Sequence, residues 1–213
     1  MSNRRVFIKN LSLGALGLTL FNQKLIADNN YRKITILHTN DMHSRIEPFG
    51  SGEFKGLGGM AQRSSIINEI RKKEKNVLLF DAGDIFQGTP YFNFYGGELE
   101  FKLMSKMKYD AATLGNHDFD NGLAGFKKQL KHASFEFLSA NYDFKNTILK
   151  NKIKPFKVFV KDGIKIGVFG LGVELDGLVP KELYEGTVYN EPIIIANQIS
   201  DKLKNELGCD LVI

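Results

Sequence analysis

Val77-Leu78-Leu79-Phe80-Asp81-Ala82-Gly83-Asp84 is a run of four apolar residues stopped by two acids and a glycine. A short uninterrupted apolar run predicts a strand buried on both faces, and the polar stop predicts that it ends at the rim of a sheet. The same pattern recurs on either side. Upstream, Ile34-Thr35-Ile36-Leu37 runs into Asn40-Asp41-Met42-His43, and downstream Ala111 to Leu114 runs into Gly115-Asn116-His117-Asp118. Helical patterns separate the three runs. Met60, Ile66, Ile67 and Ile70 recur at three-to-four spacing before Arg71-Lys72-Lys73, and Leu99, Leu103, Met104 and Met107 mark a helix over 98–107. Residues 44–58, rich in Gly, Ser and Pro, read as a loop.

Further along, Phe137-Leu138-Ser139-Ala140 predicts a strand entering Asn141. Val158 to Val160 and Ile164 to Phe169 predict a hairpin around Asp162-Gly163. Ile195, Ile199, Leu203 and Leu207 mark a last helix, and Asp210 to Ile213 starts another strand. Strands alternating with helices, with one hairpin inserted, predict an α/β fold with a largely parallel or mixed sheet. Such sheets place ligands beyond the C-terminal ends of their strands.

Asp41 and Asp84 are 43 residues apart, and Asp84 and Asn116 are 32 apart. One strand-helix-strand crossover takes roughly 30 residues or more, so the spacing brings all three polar segments to one sheet edge. Hard oxygen ligands with imidazole suit a divalent ion such as Mn, Zn, Fe or Co. Asp41 and His43 can reach one ion from a single turn. Asp84 can bridge it to a second, and Asn116 offers that second ion a neutral oxygen. Paired ions lower the pKa of a shared water and clamp a phosphoryl group, with His117 placed to protonate a departing oxygen. Taken singly, a strand-end Asp is usually a turn or a cap. The three segments in this order carry the metal reading.

Those segments, Leu37-His38-Thr39-Asn40-Asp41-Met42-His43, Asp81-Ala82-Gly83-Asp84-Ile85-Phe86-Gln87-Gly88-Thr89-Pro90 and Gly115-Asn116-His117-Asp118-Phe119-Asp120, closely resemble the bacterial 5′-nucleotidase / UDP-sugar hydrolase family of calcineurin-like metallophosphoesterases. The resemblance runs from about Lys33 to Ile213 and includes Leu138-Ser139-Ala140-Asn141. It implies a four-layer α-β-β-α sandwich that hydrolyses phosphate esters of nucleotides with water activated by two divalent metal ions. It also implies roles: Asp41 and His43 as ligands of the first metal, Asp84 as the bridge, Asn116 as a ligand of the second, His117 as the catalytic histidine and Asp120 as the carboxylate that orients it.

The family completes its metal sites with histidines in a Ser/Thr-His-Leu-Gly segment and a Gly-His-x-His segment. The histidines of this chain are His38, His43, His117 and His132. Residues 31–213 are therefore expected to be the N-terminal part of a catalytic domain, incomplete at its C-terminus, with an apolar sheet edge exposed and a weak second metal site. Two alternatives follow. The chain is an inactive remnant, or a half-site working beside a complementary chain or C-terminal domain, or else it is a thiosulfate-oxidation-type relative on the same fold.

The chain has 213 residues and a formal charge of +5. Its first 27 residues hold Arg4, Arg5, Lys9 and Lys24 and no acid, so without them 25 of the 29 basic residues face 24 acids. The near-neutral remainder gives no support to binding of a nucleic-acid polymer. Arg4-Arg5-x-Phe7-Ile8-Lys9 followed by the apolar run Leu11 to Phe21 resembles a twin-arginine export signal, too short to span a bilayer comfortably. Residues 1–30 are thus expected to engage the twin-arginine export machinery and to direct the chain to the periplasm or cell envelope. One cysteine, Cys209, excludes an internal disulfide.

Tyr91 to Tyr95 forms an aromatic cluster expected to wall or fill a core. His38 is expected to pack or hydrogen-bond internally, and His132 to lie at the surface. The Gly-x-x-Gly-x-Gly of Gly167, Gly170 and Gly172 lacks an immediate crossover helix, which argues against a dinucleotide site.

Overall fold

The computed structural model describes residues 31–213, and the expected export signal lies outside them. Strands β1 (Thr35–Thr39), β2 (Val77–Asp81), β3 (Ala111–Ala112) and β4 (Glu136–Phe137) form a parallel sheet in that order. Helix α1 (Met60–Lys73) joins β1 to β2. Helices α2 (Pro90–Tyr95) and α3 (Glu98–Lys106) join β2 to β3, and α4 (Gly122–Gln129) lies between β3 and β4. A short antiparallel pair joins β5 (Tyr142–Asp143) to β8 (Val188–Tyr189). Strands β6 (Phe156–Lys161) and β7 (Ile164–Phe169) make the expected hairpin. β9 (Leu211–Val212), reached through α5 (Pro192–Asp201), pairs parallel with β7. Among the described residues no helix is long and apolar enough to cross a membrane.

Alternation along β2 builds the layers. Leu79 joins the core formed with Met60 and Ile67 of α1, Phe92 of α2, Phe101 and Met104 of α3 and Phe126 of α4. Leu78 and Phe80 point the other way, onto Ile166 and Val168 of β7. Because both faces of β2 are covered, its five residues are all buried. On the far face of the second sheet, fully buried Leu203 packs where a Cβ on Gly167 would come within 2.8 Å of it. The order is helices, sheet, sheet, helix, which is the four-layer sandwich.

Several details correct the sequence reading. Ile66 is 60% exposed, and the buried stripe of α1 runs through Met60 and Ile67 instead. β3 and β4 pair over two residues each, because the chain leaves each strand early to build loops. Helix α4 was not anticipated, since glycines at 122 and 125 weaken its helical pattern. The Tyr91–Tyr95 cluster lies wholly in α2, and it divides its aromatics: Phe92 packs tilted in the core 5.1 Å from Phe86, whereas Phe94 is 82% exposed. His132 is half-buried, with Nε2 3.6 Å from Glu98 Oε2. His38 is exposed rather than internal. It lines an apolar cleft of about 320 Å³ between the sheets, together with Ile36, Phe80, Val168 and Ile213. Among the described strands β1 and β9 stand at sheet edges, and Ile36 of β1 and Ile213 just past β9 line this cleft. A Cβ at Gly170 would lie 2.3 Å from the Leu138 carbonyl oxygen, so close packing accounts for that glycine.

Candidate metal centre

The three polar loops meet beyond the C-terminal ends of β1, β2 and β3, held by backbone hydrogen bonds. Asp41 N–H donates to the Gly83 carbonyl (3.0 Å), His43 N–H to that of Asp84 (3.0 Å) and Ser44 N–H to that of Ile85 (2.9 Å). His117 N–H donates to Asp84 Oδ1 at 2.9 Å. The β2 and β3 loops press so closely that a Cβ on Gly83, at φ +100°, would sit 2.4 Å from the Gly115 nitrogen. Asp41, His43, Ser44 and Asp84 all hold left-handed backbone at φ 50°, 43°, 53° and 55°. Such backbone costs on the order of 1 kcal/mol or more per non-glycine residue, and it clusters where function over-determines the conformation.

Donor atoms of Asp41, His43 and Asp84 all lie within 4.8 Å of one another. His43 Nε2 is 3.8 Å from Asp41 Oδ1, and its Nδ1 is buried without a hydrogen-bond partner. Two carboxylates and an imidazole converging in this way suit a borderline divalent ion, so the residues fit the metal that the sequence implied. Asn116 begins the 3-10 turn Asn116–Phe119 beside them. His117 reaches the same place, its ring centroid 5.2 Å from that of His43. Asp120 Oδ2 lies 3.0 Å from His117 Nδ1. An ionised carboxylate only accepts, so Nδ1 donates and Nε2 is left outside that hydrogen bond. That hydrogen bond raises the His117 pKa above its usual value. All six residues picked from the sequence therefore gather at one sheet edge.

Residues that the sequence reading passed over hold the site together. Asp118 is fully buried, and its two oxygens accept from four backbone N–H groups: Asp84 (3.0 Å), Gly115 (2.9 Å), Ile85 (3.0 Å) and Phe86 (3.2 Å). It ties the Asp84 loop to the Asn116 loop. Burial pushes its pKa up to about 8, against the pull of those N–H groups. Asp81 accepts from the Thr39 hydroxyl (2.5 Å) and Gly83 N–H (3.0 Å), and burial pushes it up to about 7. Glu100, buried on α3, accepts from the Ser44 hydroxyl. Asp118 lay within a quoted motif. Glu100 left only a faint signal, an acid inside an otherwise apolar helical stripe.

Residues 34–205 match the calcineurin-like phosphoesterase family. The chain belongs to the calcineurin-like phosphoesterases. Among similar proteins, the 5′-nucleotidase of Vibrio cholerae is 40% identical over 196 residues, covering 90% of this chain and 34% of that protein. A snake venom 5′-nucleotidase of Crotalus adamanteus is 47% identical over 147 residues, covering 65% of this chain and 25% of its own. The crystal structure of a 5′-nucleotidase precursor from Thermus thermophilus superposes with a TM-score of 0.75 at 33% identity, over 84% of this chain and 36% of that one. This calcineurin-like phosphoesterase thus spans about a quarter to a third of the length of these relatives.

Proposed function

We propose that this chain carries the nucleotide-directed phosphoester hydrolysis of the 5′-nucleotidases, using a metal centre built on Asp41, His43, Asp84 and Asn116. The observation that carries the reading is the convergence of the Asp41-His43-Asp84 donor group with the Asp120-oriented His117. Divalent ions held there supply Lewis-acid polarisation of a phosphoryl oxygen and activation of water. The protein's own part is positional. Asp120 accepts from His117 Nδ1–H and favours the imidazolium, whose Nε2–H can then donate a proton to the departing ester oxygen. The Asp118 hydrogen bonds fix the spacing between Asp84 and His117.

Phosphate release from 5′-AMP by the purified chain with Mn²⁺ tests the proposal. Release that falls at least ~100-fold in His117→Asn supports it. No release from any nucleotide by a metal-loaded chain overturns it. A second reading, a metal-binding but non-catalytic chain, is favoured by one observation. Among the described residues Asp41-His43-Asp84 is the sole three-residue His/Cys/Asp/Glu donor group, which leaves only Asp84 and Asn116 for a second ion. Two bound ions per chain favour hydrolysis, and one favours the second reading.

Export to the periplasm is part of the proposal and rests on the Arg4-Arg5 segment. Retention in the cytoplasm of a reporter fused after residue 30 would overturn export, and export that survives Arg4→Lys/Arg5→Lys would overturn the twin-arginine route.

A further inference from the structure

Glu100 is a buried acid with no place in the proton transfers proposed above. It sits in the first turn of α3, beside the buried Phe101 and Met104. One carboxylate oxygen accepts from the Ser44 hydroxyl, and the other is buried with no hydrogen-bond partner. A buried carboxylate so poorly paired costs folding free energy, and an apolar residue would fit the helix face better. Its one side-chain partner is the residue next to His43.

Ser44 is fully buried and holds φ 53°, directly after His43 at φ 43°. Thr89 Oγ1 lies 2.7 Å from the Ser44 carbonyl oxygen and 2.9 Å from its hydroxyl. Gly88 closes over the same turn, since a Cβ there would come within 2.8 Å of the His43 carbonyl oxygen. Ser44 is thus held by hydrogen bonds from opposite sides, with α3 on one and the Asp84 loop on the other. Its own short side chain cannot enforce two successive left-handed residues.

We propose that Glu100 is a positioning residue for the metal centre. Through the Ser44 hydroxyl it locks the left-handed His43–Ser44 turn and so fixes where the His43 imidazole points. This inference rests on the metal reading of Asp41, His43 and Asp84. Partners that orient a metal ligand typically change affinity by about 10–100-fold when removed.

The test measures Mn²⁺ affinity calorimetrically on the full chain, well below each variant's thermal midpoint, for Glu100→Gln, Glu100→Met, Ser44→Ala and the Ser44→Ala/Glu100→Met double variant. Glu100→Gln keeps an acceptor for Ser44 and is expected within about threefold of the unsubstituted chain. Glu100→Met and Ser44→Ala are each expected to weaken binding by ~10-fold or more. The double variant should be no weaker than the worse single one, because the two residues act in series. A loss of thermal stability with unchanged affinity in Glu100→Met overturns the proposal, as do additive losses. If Glu100→Met does not fold, unchanged affinity in Ser44→Ala overturns it instead. Failure of the unsubstituted chain to bind Mn²⁺ overturns the metal reading itself and this inference with it, a result distinct from equal binding by all variants.

Discussion

Asp118 Oδ2 bridges Asp84 N–H and Gly115 N–H, at 3.0 and 2.9 Å, so one buried carboxylate joins the loop after β2 to the loop after β3. The ligand Asp84 and the catalytic candidate His117 are therefore spaced by a residue that faces neither metal nor substrate. Truncating it in Asp118→Ala strands four N–H donors, two buried and two half-buried, and each that stays buried and unpaired costs about 1–3 kcal/mol. Relaxation and water entry reduce that sum, and a loss of roughly 3–5 kcal/mol is expected in urea unfolding of the metal-free chain. Asp118→Asn, which turns a donor toward those N–H groups, should also destabilise, but less. A change under ~1 kcal/mol in the Ala variant would show that the loops hold together without it.

His117 owes its raised pKa first to the Asp120 hydrogen bond, with burial opposing. In metal-free protein its ring should titrate above the ordinary histidine value of about 6.5. Asp120→Asn should bring it down. By linkage, the Asp120 pairing stabilises the fold fully below the unfolded-state pKa, and that stability is lost as pH rises through the folded value. An NMR titration of the ring protons reads this directly. An unshifted His117 in Asp120→Asn would remove the pairing as the cause.

Asp81 gives a slope of the same sign at lower pH. Its folded pKa of about 7 stands above the ordinary aspartate value of 3.8, so the folded state binds the extra proton between them. Stability of the metal-free chain should then fall as pH rises from about 4 to 7. At ~1.4 kcal/mol per unit, this residue's share is at most about 4 kcal/mol. Asp81→Asn keeps an acceptor for Gly83 N–H, can turn its amide donor to the Thr39 hydroxyl oxygen, and removes the titration. Comparing denaturation midpoints at pH 5 and 8 should show a shallower decline in the variant. Parallel declines would assign the slope elsewhere.

Gly83→Ala should be far worse than Gly52→Ala, although both glycines have positive φ. A Cβ at Gly83 meets the Gly115 backbone at 2.4 Å, whereas one at Gly52 meets nothing within 4 Å. The expected costs are about 3 kcal/mol or more against about 1 kcal/mol. Gly83→Ala should also weaken Mn²⁺ binding, because the Asp84 turn must move. Equal midpoints for the two variants would contradict the close approach.

The sequence by itself determined the strand-helix alternation, the ends of β1 and β2 and the gathering of six polar residues at one sheet edge. An apolar run with a polar stop is a local signal, and residue spacing limits which loops can share an edge. Thr39, Asp81 and Asp84 could be placed at strand ends in this way before any packing was known. Tertiary structure alone decided what holds those residues still. Glu100 reaches Ser44 across 56 residues, and Asp118 reaches Ile85 across 33. Such pairings depend on how loops from different crossovers stack, which no local periodicity encodes. The same holds for exposure. Ile66 and Ile67 differ by one residue in a helix, yet the packing of α1 on the sheet buries one and exposes the other. His38, read as internal, lies on an open cleft because β1 is an edge strand, and edge position is a property of the whole sheet.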